Sequence, residues 1–271
     1  MDNLQKIVLL IDADNTQISK MEAVIQEIST HGRIVVKRAY GNWKKEVLKN
    51  WESELKRLAI KAEQQFDYVS GKNATDMALV IGTLDLLHSN LYDAFVIVAS
   101  DSDYTPLAIR LHESGVYVIG VGERKTPKAF RNACDEFVFL ENLDKGTREK
   151  SPKGKNTAKE TGKEKGTVSE EVVGETAEET GDESNEDSMD GFEEIHNLLK
   201  VASDKYQDDD GYVNVSSAGT FIKRAKPDFD SRTYGFLKLP QLIEAFPEKY
   251  EIKRYPGKGT VTIIAYKCIG Q

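Results

Sequence analysis

The sequence has little cysteine and no long apolar run. Its two cysteines, Cys134 and Cys268, lie in different halves of the chain. They offer no disulfide framework and no cysteine-based zinc site, and they favour a reducing compartment. The longest early apolar stretch, residues 7–11, is too short for the core of a signal peptide or for a membrane span. We therefore expect a cytoplasmic protein that does not bind a membrane.

A large excess of basic residues is also missing. The net charge is −8, but one segment carries most of it: residues 144–167 contain eight Lys or Arg and four Asp or Glu, and residues 168–190 contain ten acidic residues and no basic one. This segment has no aromatic residue and few aliphatic ones, so it is predicted to be a disordered charged linker over 144–190. The flanking parts are close to neutral, so net charge does not decide whether nucleic acid is a partner.

Residues 1–143 alternate between strand and helix patterns. The apolar runs at 7–11 and 95–99 are typical of parallel strands buried on both faces. Further strands are predicted at 33–40, 66–69, 116–121 and 136–140, and helices at 19–30, 46–61, 77–87, 106–115 and 127–133. This alternation predicts an α/β domain with a mostly parallel sheet.

Acidic residues follow both buried strands. Asp12 ends the first run, Asp101 and Asp103 follow the second, and Asp76 begins a helix. Ligands bind parallel sheets beyond the carboxyl ends of the strands, and adjacent carboxylates repel unless a proton or cation lies between them. Each acid alone is equally well explained as a turn residue or a helix cap. Together they favour a site for Mg²⁺ or Mn²⁺, the cations that prefer oxygen ligands.

Three neighbouring features are less decisive. Asp14 is the acid that the pattern places least well, since a side chain two residues after Asp12 can face the solvent. Lys72 either holds a phosphate, pairs with an acid or is an ordinary solvated lysine. Trp43 and Trp51 are predicted to pack against helices and not to stack on bases.

The first half resembles a known family over residues 5–143. The motifs, in order, are IVLLIDADN, KNATDMAL, VIVASDSDYTPLAIRLHESGVYVIGVG and KAFRNACDEFVFLENL. They resemble the NYN domains, relatives of the PIN-like nucleases. The resemblance implies a three-layer α/β domain and metal-dependent endoribonuclease chemistry. It implies metal binding and catalysis by Asp12, Asp76, Asp101 and Asp103, with Asn15 and Ser100 as polar companions.

A second resemblance concerns a shorter segment. The sequence DADNT at 12–16 matches the DxDxT motif of haloacid-dehalogenase-type phosphatases, in which the first Asp is the nucleophile and the second an acid/base. The later run SDSDYTPLAIRLHESGVYVIGVG looks like the metal-binding motif of the same phosphatases. That pattern leaves Asp76 unexplained, and the spacing of Asp101 and Asp103 departs from the usual acid pair. The phosphatase is therefore the weaker alternative.

Residues 191–271 are predicted to form a small winged helix-turn-helix domain. Three helical patterns precede two alternating strands joined by the turn sequence PGKG. The segment GYVNVSSAGTFIKRAKPDFDSRTYGFLKLPQLIEAFPEKYEIKR resembles the LOTUS, or OST-HTH, domains. The resemblance implies binding of RNA and of protein partners. Its basic side chains, among them Lys223 and Arg224, are candidates for phosphate contacts, although Lys and Arg cover the surface of any small domain.

The sequence thus predicts a metal-dependent endoribonuclease domain at 1–143, a linker at 144–190 and an RNA-binding domain at 191–271. Asn15, Lys72, Ser100, Lys223 and Arg224 are the predicted substrate contacts. Two alternatives remain besides the phosphatase: an RNA-binding protein with a catalytically silent site, and a scaffold whose second domain recruits a protein. The sequence does not predict the RNA target or the oligomeric state.

Overall fold

The N-terminal domain is built on a six-stranded parallel sheet with the order β3-β2-β1-β4-β5-β6. The computed structural model describes residues 4–68, 73–143, 186–257 and 262–269. The strands are β1 (Leu4–Asp12), β2 (Gly32–Gly41), β3 (Lys61–Gln64), β4 (Ala94–Val98), β5 (Tyr117–Gly122) and β6 (Glu136–Phe139). The helices are α1 (Met21–Ser29), α2 (Trp51–Arg57), α3 (Ala74–His88), α4 (Thr105–Glu113), α5 (Lys128–Asn132) and α6 (Leu140–Leu143).

Helices cover both faces of this sheet and make three layers. Successive side chains of a strand point to opposite faces, so the apolar run of β1 serves two cores at once. Ile7, Leu9 and Ile11 pack with the apolar residues of α1 and α2. Val8 and Leu10 pack on the other side with those of α3 and α4. The predicted three-layer α/β domain with a parallel sheet is therefore confirmed.

The strand order places a binding position between β1 and β4. The chain leaves β1 toward β2 and β3 on one side and returns to β4, β5 and β6 on the other, so the order reverses between β1 and β4. In open parallel sheets, ligands bind at such a reversal, beyond the carboxyl ends of the strands. Asp12 is the last residue of β1, and Asp101 follows β4 by three residues.

One predicted strand lies elsewhere. The helix predicted over 46–61 is a short 3-10 turn at Glu46–Leu48 followed by α2, and a left-handed φ of 51° at Ala59 ends the helical path. The next strand is β3, whose sequence KAEQ lacks the aromatic and β-branched residues that signal a strand because it lies, mostly exposed, at the sheet edge. Described residues 66–68 form no strand, and residue 69 lies outside the described residues.

The C-terminal domain has its own core. Its helices are α7 (Glu186–Tyr206), α8 (Val215–Ala225) and α9 (Leu239–Glu244), and β7 (Val213–Asn214), β8 (Tyr250–Pro256) and β9 (Thr262–Cys268) form an antiparallel sheet with the order β7-β9-β8. The predicted winged helix-turn-helix architecture is confirmed, with a short third strand added. The predicted third helix is split, because Gly235 takes a left-handed φ of 85° between a 3-10 turn and α9.

The segment predicted to be a linker lies almost wholly outside the described residues. Of residues 144–190, the structure describes the backbone of 186–190, which forms the start of α7. Among the described residues, no helix combines the length and the apolar character that a bilayer crossing demands.

The C-terminal domain contacts the β6 edge of the first sheet. The backbone amide of Phe137 in β6 donates a hydrogen bond of 2.9 Å to the carbonyl of Pro227. The Lys223 ammonium lies 2.6 Å from the carboxylate of Glu136, a side chain only 8% exposed. On its other side, Glu136 accepts a hydrogen bond from His31 at 3.2 Å. A buried carboxylate is thus shared between a histidine of its own domain and a lysine of the other.

A second group of polar contacts extends this interface. The Arg232 guanidinium donates to both carboxylate oxygens of Glu27, at 2.9 and 3.1 Å. The fully buried Asn142 donates at 3.0 Å to Asp230 and to Thr233. These side chains come from α1 and α6 of the first domain and from the 3-10 turn of the second and the residue before it. The two domains are therefore joined by directional, partly buried contacts.

Candidate active site

Three of the four predicted acids meet the predicted edge of the sheet from separate elements. Asp12 ends β1 and is fully buried, Asp76 lies half-buried in the first turn of α3, and Asp101 is exposed after β4. Asp103 is exposed two residues further on, within a 3-10 turn. The structure thus brings together the elements that the sequence predicted to converge.

Tyr104 joins two of these acids. Its hydroxyl lies 2.8 Å from Asp76 Oδ1 and 3.1 Å from Asp12 Oδ2, and its ring is fully buried. A hydroxyl has one proton to donate, so it satisfies one carboxylate at a time. Burial, and then the charges of Asp12 and Asp76, raise the pKa of the Tyr104 hydroxyl, which therefore stays protonated. Tyr104 was not predicted from the sequence, since a tyrosine at the start of a helix carries no pattern that reveals a carboxylate partner.

The environment of Asp12 disfavours its charge. Asn15 donates to Asp12 Oδ2 at 2.9 Å, but Asp12 Oδ1 is buried without a hydrogen-bond partner. Burial, with a smaller contribution from the charge of Asp76, raises the pKa of Asp12 to about 6. The pKa of Asp76 is also raised, first by burial and then by the charges of Asp101 and Asp103. Burial together with neighbouring negative charges thus favours the binding of a proton or a cation at these carboxylates.

Asp14 belongs to the same site. The Thr75 hydroxyl donates to Asp14 Oδ2 at 2.7 Å, and the Lys45 ammonium lies 3.2 Å from the same oxygen. Asp14 Oδ1 is buried without a partner, as Asp12 Oδ1 is. Asp14 therefore faces the protein and not the solvent. The spacing of Asp12 and Asp14, with one residue between them, was the sequence signal that could have placed Asp14 at the site.

The capping explanation applies to some of the acids. Asp101 Oδ1 accepts the backbone amide of Asp103 at 3.0 Å and caps the following 3-10 turn. Asp76 caps nothing at its own helix start, where Asn73 is the cap residue and makes no side-chain capping bond. The Asn73 side chain donates instead to Asp103 at 2.8 Å. Asp101 thus combines a capping role with its place at the site, whereas the Asp76 side chain is committed to Tyr104.

The remaining predicted contacts are distributed over the molecule. Asn15 is exposed beside Asp12, and the half-buried Ser100 accepts the backbone amide of Glu123 at 3.0 Å. Lys72 lies outside the described residues. Lys223 and Arg224 lie on α8 in the C-terminal domain, where Lys223 pairs with Glu136 and Arg224 is exposed.

The donor chemistry of this site fits a hard divalent cation. Carboxylates are the preferred ligands of Mg²⁺ and Mn²⁺, and the unpartnered oxygens of Asp12 and Asp14 are buried there. The side chains are not gathered into a finished cage: in the described part of the chain, no three His, Cys, Asp or Glu side chains are grouped as metal ligands. Tyr104 and Lys45 instead occupy the carboxylate oxygens Asp12 Oδ2, Asp76 Oδ1 and Asp14 Oδ2.

Comparison with known families decides between the two resemblances. The NYN domain family model matches residues 6–141, just over half of the chain. The chain belongs to the NYN domain family. The OST-HTH/LOTUS domain model matches residues 191–262. The NYN match spans the segments from which the weaker phosphatase resemblance was drawn.

Other comparisons add little to this assignment. A search of the curated proteins found no match. A solved structure of a protein of unknown function from Vibrio parahaemolyticus is 16% identical, with 53% of this chain and 97% of that chain covered and a TM-score of 0.43. The assignment depends on the two family matches and on the fold described above.

Proposed function

We propose that this NYN protein is a metal-dependent endoribonuclease whose C-terminal domain contributes to RNA binding. The observation that carries the proposal is the meeting of Asp12 and Asp76 at the Tyr104 hydroxyl, at the reversal point of the parallel sheet. NYN membership supports nuclease chemistry, and the OST-HTH match supports RNA as the partner. The low cysteine content supports a cytoplasmic location.

Asp12, Asp76, Asp101 and Asp103 would hold Mg²⁺ or Mn²⁺. A divalent ion bound there supplies a water of lowered pKa and a positive charge that stabilises the anionic transition state of phosphodiester cleavage.

The surrounding side chains position these acids. Tyr104 fixes the separation of Asp12 and Asp76, and Asn15 orients Asp12. Asp12 Oδ1 is buried and has no hydrogen-bond partner, so it is the oxygen of Asp12 that is left for the cation. Asp101 is exposed at the mouth of the site, where the RNA backbone arrives.

The predicted substrate contacts divide between the two domains. Asn15 and Ser100 are proposed to contact the RNA near the acids, and Lys72, which lies outside the described residues, is proposed to hold a phosphate. Lys223 and Arg224 are proposed to contact the RNA from the second domain, with Arg224 the more accessible because Lys223 pairs with Glu136. A protein partner bound through the second domain is a further proposal.

A second candidate is an RNA-binding adaptor with a silent site. The observation in its favour is that Tyr104 and Lys45 already occupy several carboxylate oxygens, so those oxygens have hydrogen-bond partners without a cation. Such a protein binds RNA tightly and leaves it intact.

One experiment separates the two candidates. End-labelled single-stranded and structured RNAs are incubated with the intact protein and Mn²⁺ or EDTA, and the products are resolved on a gel. We expect cleavage in the presence of Mn²⁺ and none in EDTA. The variants Asp12→Asn and Asp101→Asn should lose this cleavage and still bind RNA. Asp85→Asn is the matched control, because Asp85 is exposed nine residues after Asp76 on the same helix. Cleavage that survives both site substitutions refutes the site, and tight binding without cleavage supports the adaptor.

A further inference from the structure

Two exposed aromatic rings stand on the segment that follows β3. Phe66 is 50% exposed and Tyr68 is 86% exposed, although both are large apolar side chains. The Lys44 ammonium lies over the Phe66 ring, 5.0 Å from its centre. A positive charge thus accompanies an accessible ring.

Polar contacts hold the residues on both sides of Phe66. Between the two rings, Asp67 accepts a hydrogen bond of 3.1 Å from the Asn42 side chain and pairs with Lys45 at 3.3 Å. The backbone amide of Gln65 donates to the carbonyl of Gly41 at 3.0 Å. Polar contacts therefore anchor the residues beside the rings and leave the rings in the solvent.

The same contacts lead to the candidate active site. Lys45, which pairs with Asp67, also lies 3.2 Å from Asp14 Oδ2. Asp14 in turn accepts from Thr75, the residue before Asp76. Both β1 and β3 run parallel to β2, so the segment after β3 leaves the sheet at the same edge as Asp12. The rings are thus connected to the acids through a single shared lysine.

We infer that Phe66 and Tyr68 form a stacking platform for unpaired RNA bases next to the acidic site, with Lys44 as the neighbouring positive charge with which a phosphate can pair. This inference rests on the proposed function and specifies its substrate as a single-stranded segment. An accessible aromatic ring stacks on the face of any unpaired base, whereas the bases of a duplex are already stacked on one another. The platform therefore selects RNA by strandedness and not by sequence.

The size of the effect follows from the stacking energy of one base on one ring. Removal of such a ring typically weakens the binding of single-stranded nucleic acid roughly tenfold in Kd. The loss is confined to unpaired RNA, since a blunt duplex of the same length gains nothing from the rings. A ring-preserving substitution such as Phe66→Tyr retains most of the affinity.

The test uses the intact protein in EDTA, so that no RNA is cut. A fluorescein-labelled oligouridine and a labelled blunt duplex are titrated with protein, and Kd is measured from fluorescence anisotropy. We expect Phe66→Ala and Tyr68→Ala each to raise Kd for the oligouridine roughly tenfold, with little change for the duplex. Tyr206→Ala is the matched control, because Tyr206 is also exposed and has a lysine, Lys205, over its ring.

Tryptophan fluorescence provides a second readout at this place. The two tryptophans of the chain are Trp43 and Trp51, whose rings lie 6.1 Å apart, and Trp43 Nε1 donates to the carbonyl of Glu63 in β3. Oligouridine that stacks on the platform should quench this emission in the wild type and less in Phe66→Ala.

The possible outcomes separate the platform from the nuclease. The platform is refuted if Phe66→Ala and Tyr68→Ala leave Kd unchanged, if Tyr206→Ala weakens binding equally, or if the protein does not bind oligouridine. Each of these results refutes the platform even where Mn²⁺-dependent cleavage still requires Asp101. Binding that depends on the rings, without any cleavage, supports the platform and refutes the proposed nuclease activity. A platform that serves a protein partner would show as unchanged RNA binding, which also refutes the inference.

Discussion

Replacement of Glu136 by Gln should destabilise the protein in a pH-dependent way. Glu136 lies at the contact between the two domains, only 8% exposed in its side chain, and pairs with His31 and Lys223. Burial by itself raises its pKa, but the hydrogen bond from His31 and the charge of Lys223 outweigh burial and hold the pKa at about 2, below the ordinary 4.5. Each pKa unit corresponds to about 1.4 kcal/mol, so the surroundings favour the ionised carboxylate by about 3 kcal/mol.

The pH dependence has two limits. Because the pKa of Glu136 is lowered by folding, its contribution is complete above pH 4.5 and is lost as the pH falls toward about 2. The pKa of His31 is raised above 6.5, chiefly by the hydrogen bond to Glu136, so its contribution is complete below pH 6.5 and is lost as the pH rises through the raised value. The combined stabilisation is therefore largest between pH 4.5 and 6.5.

Thermal unfolding followed by circular dichroism tests this reasoning. At about 2–4 °C per kcal/mol, Glu136→Gln should lower Tm by roughly 6–12 °C at pH 6, with a loss reduced to roughly half at pH 3. Glu113→Gln serves as the control, because Glu113 is 63% exposed and reaches Arg110 at only 4.0 Å. The stabilising role of the ionised Glu136 is refuted if wild type and Glu136→Gln have equal Tm values at pH 6, or if the loss in Tm is the same at pH 3 as at pH 6.

Two further predictions concern the interface and the thiols. Arg232→Glu should lower the free energy of unfolding by about 1–2 kcal/mol, because the new carboxylate is repelled by Glu27 and Asp230. The double variant with Glu27→Arg should recover part of the loss in Tm. No recovery in the double variant contradicts the ion pair between Arg232 and Glu27. Cys134 is 3% exposed, and burial raises its pKa to about 12. A thiol reagent should therefore modify Cys268 first and reach Cys134 only on unfolding. Intact-protein mass spectrometry measures this order. Rapid native modification of both thiols would contradict the buried position.

The fold was predictable where the sequence carried a strong local signal. The buried strands at 7–11 and 95–99 are apolar runs of a kind that fits few other structures, and both lie at the centre of the sheet. β3 was missed because an exposed edge strand needs no apolar residues. The tryptophans pack as predicted, since Trp51 is buried in the core that covers one face of the sheet and Trp43 packs against that core.

The candidate site was predictable in its acids and not in their connections. Asp12 and Asp101 follow from the rule for strand ends, but the partners of an acid depend on tertiary packing. Tyr104 and Lys45 reach the acids from positions 92 and 31 residues away in sequence, measured from Asp12 and Asp14. Lys223 illustrates the same limit, because a lysine that the sequence offers to RNA is paired with a glutamate of the other domain.

The contact on β6 has a consequence for the solubility of the first domain alone. All four residues of β6, EFVF, are buried, and the amide of Phe137 reaches the carbonyl of Pro227 in the second domain. An apolar strand at the end of a sheet is a template onto which strands of other molecules can add. The C-terminal domain therefore covers part of this strand, and its removal would leave β6 open to pairing with strands of other molecules.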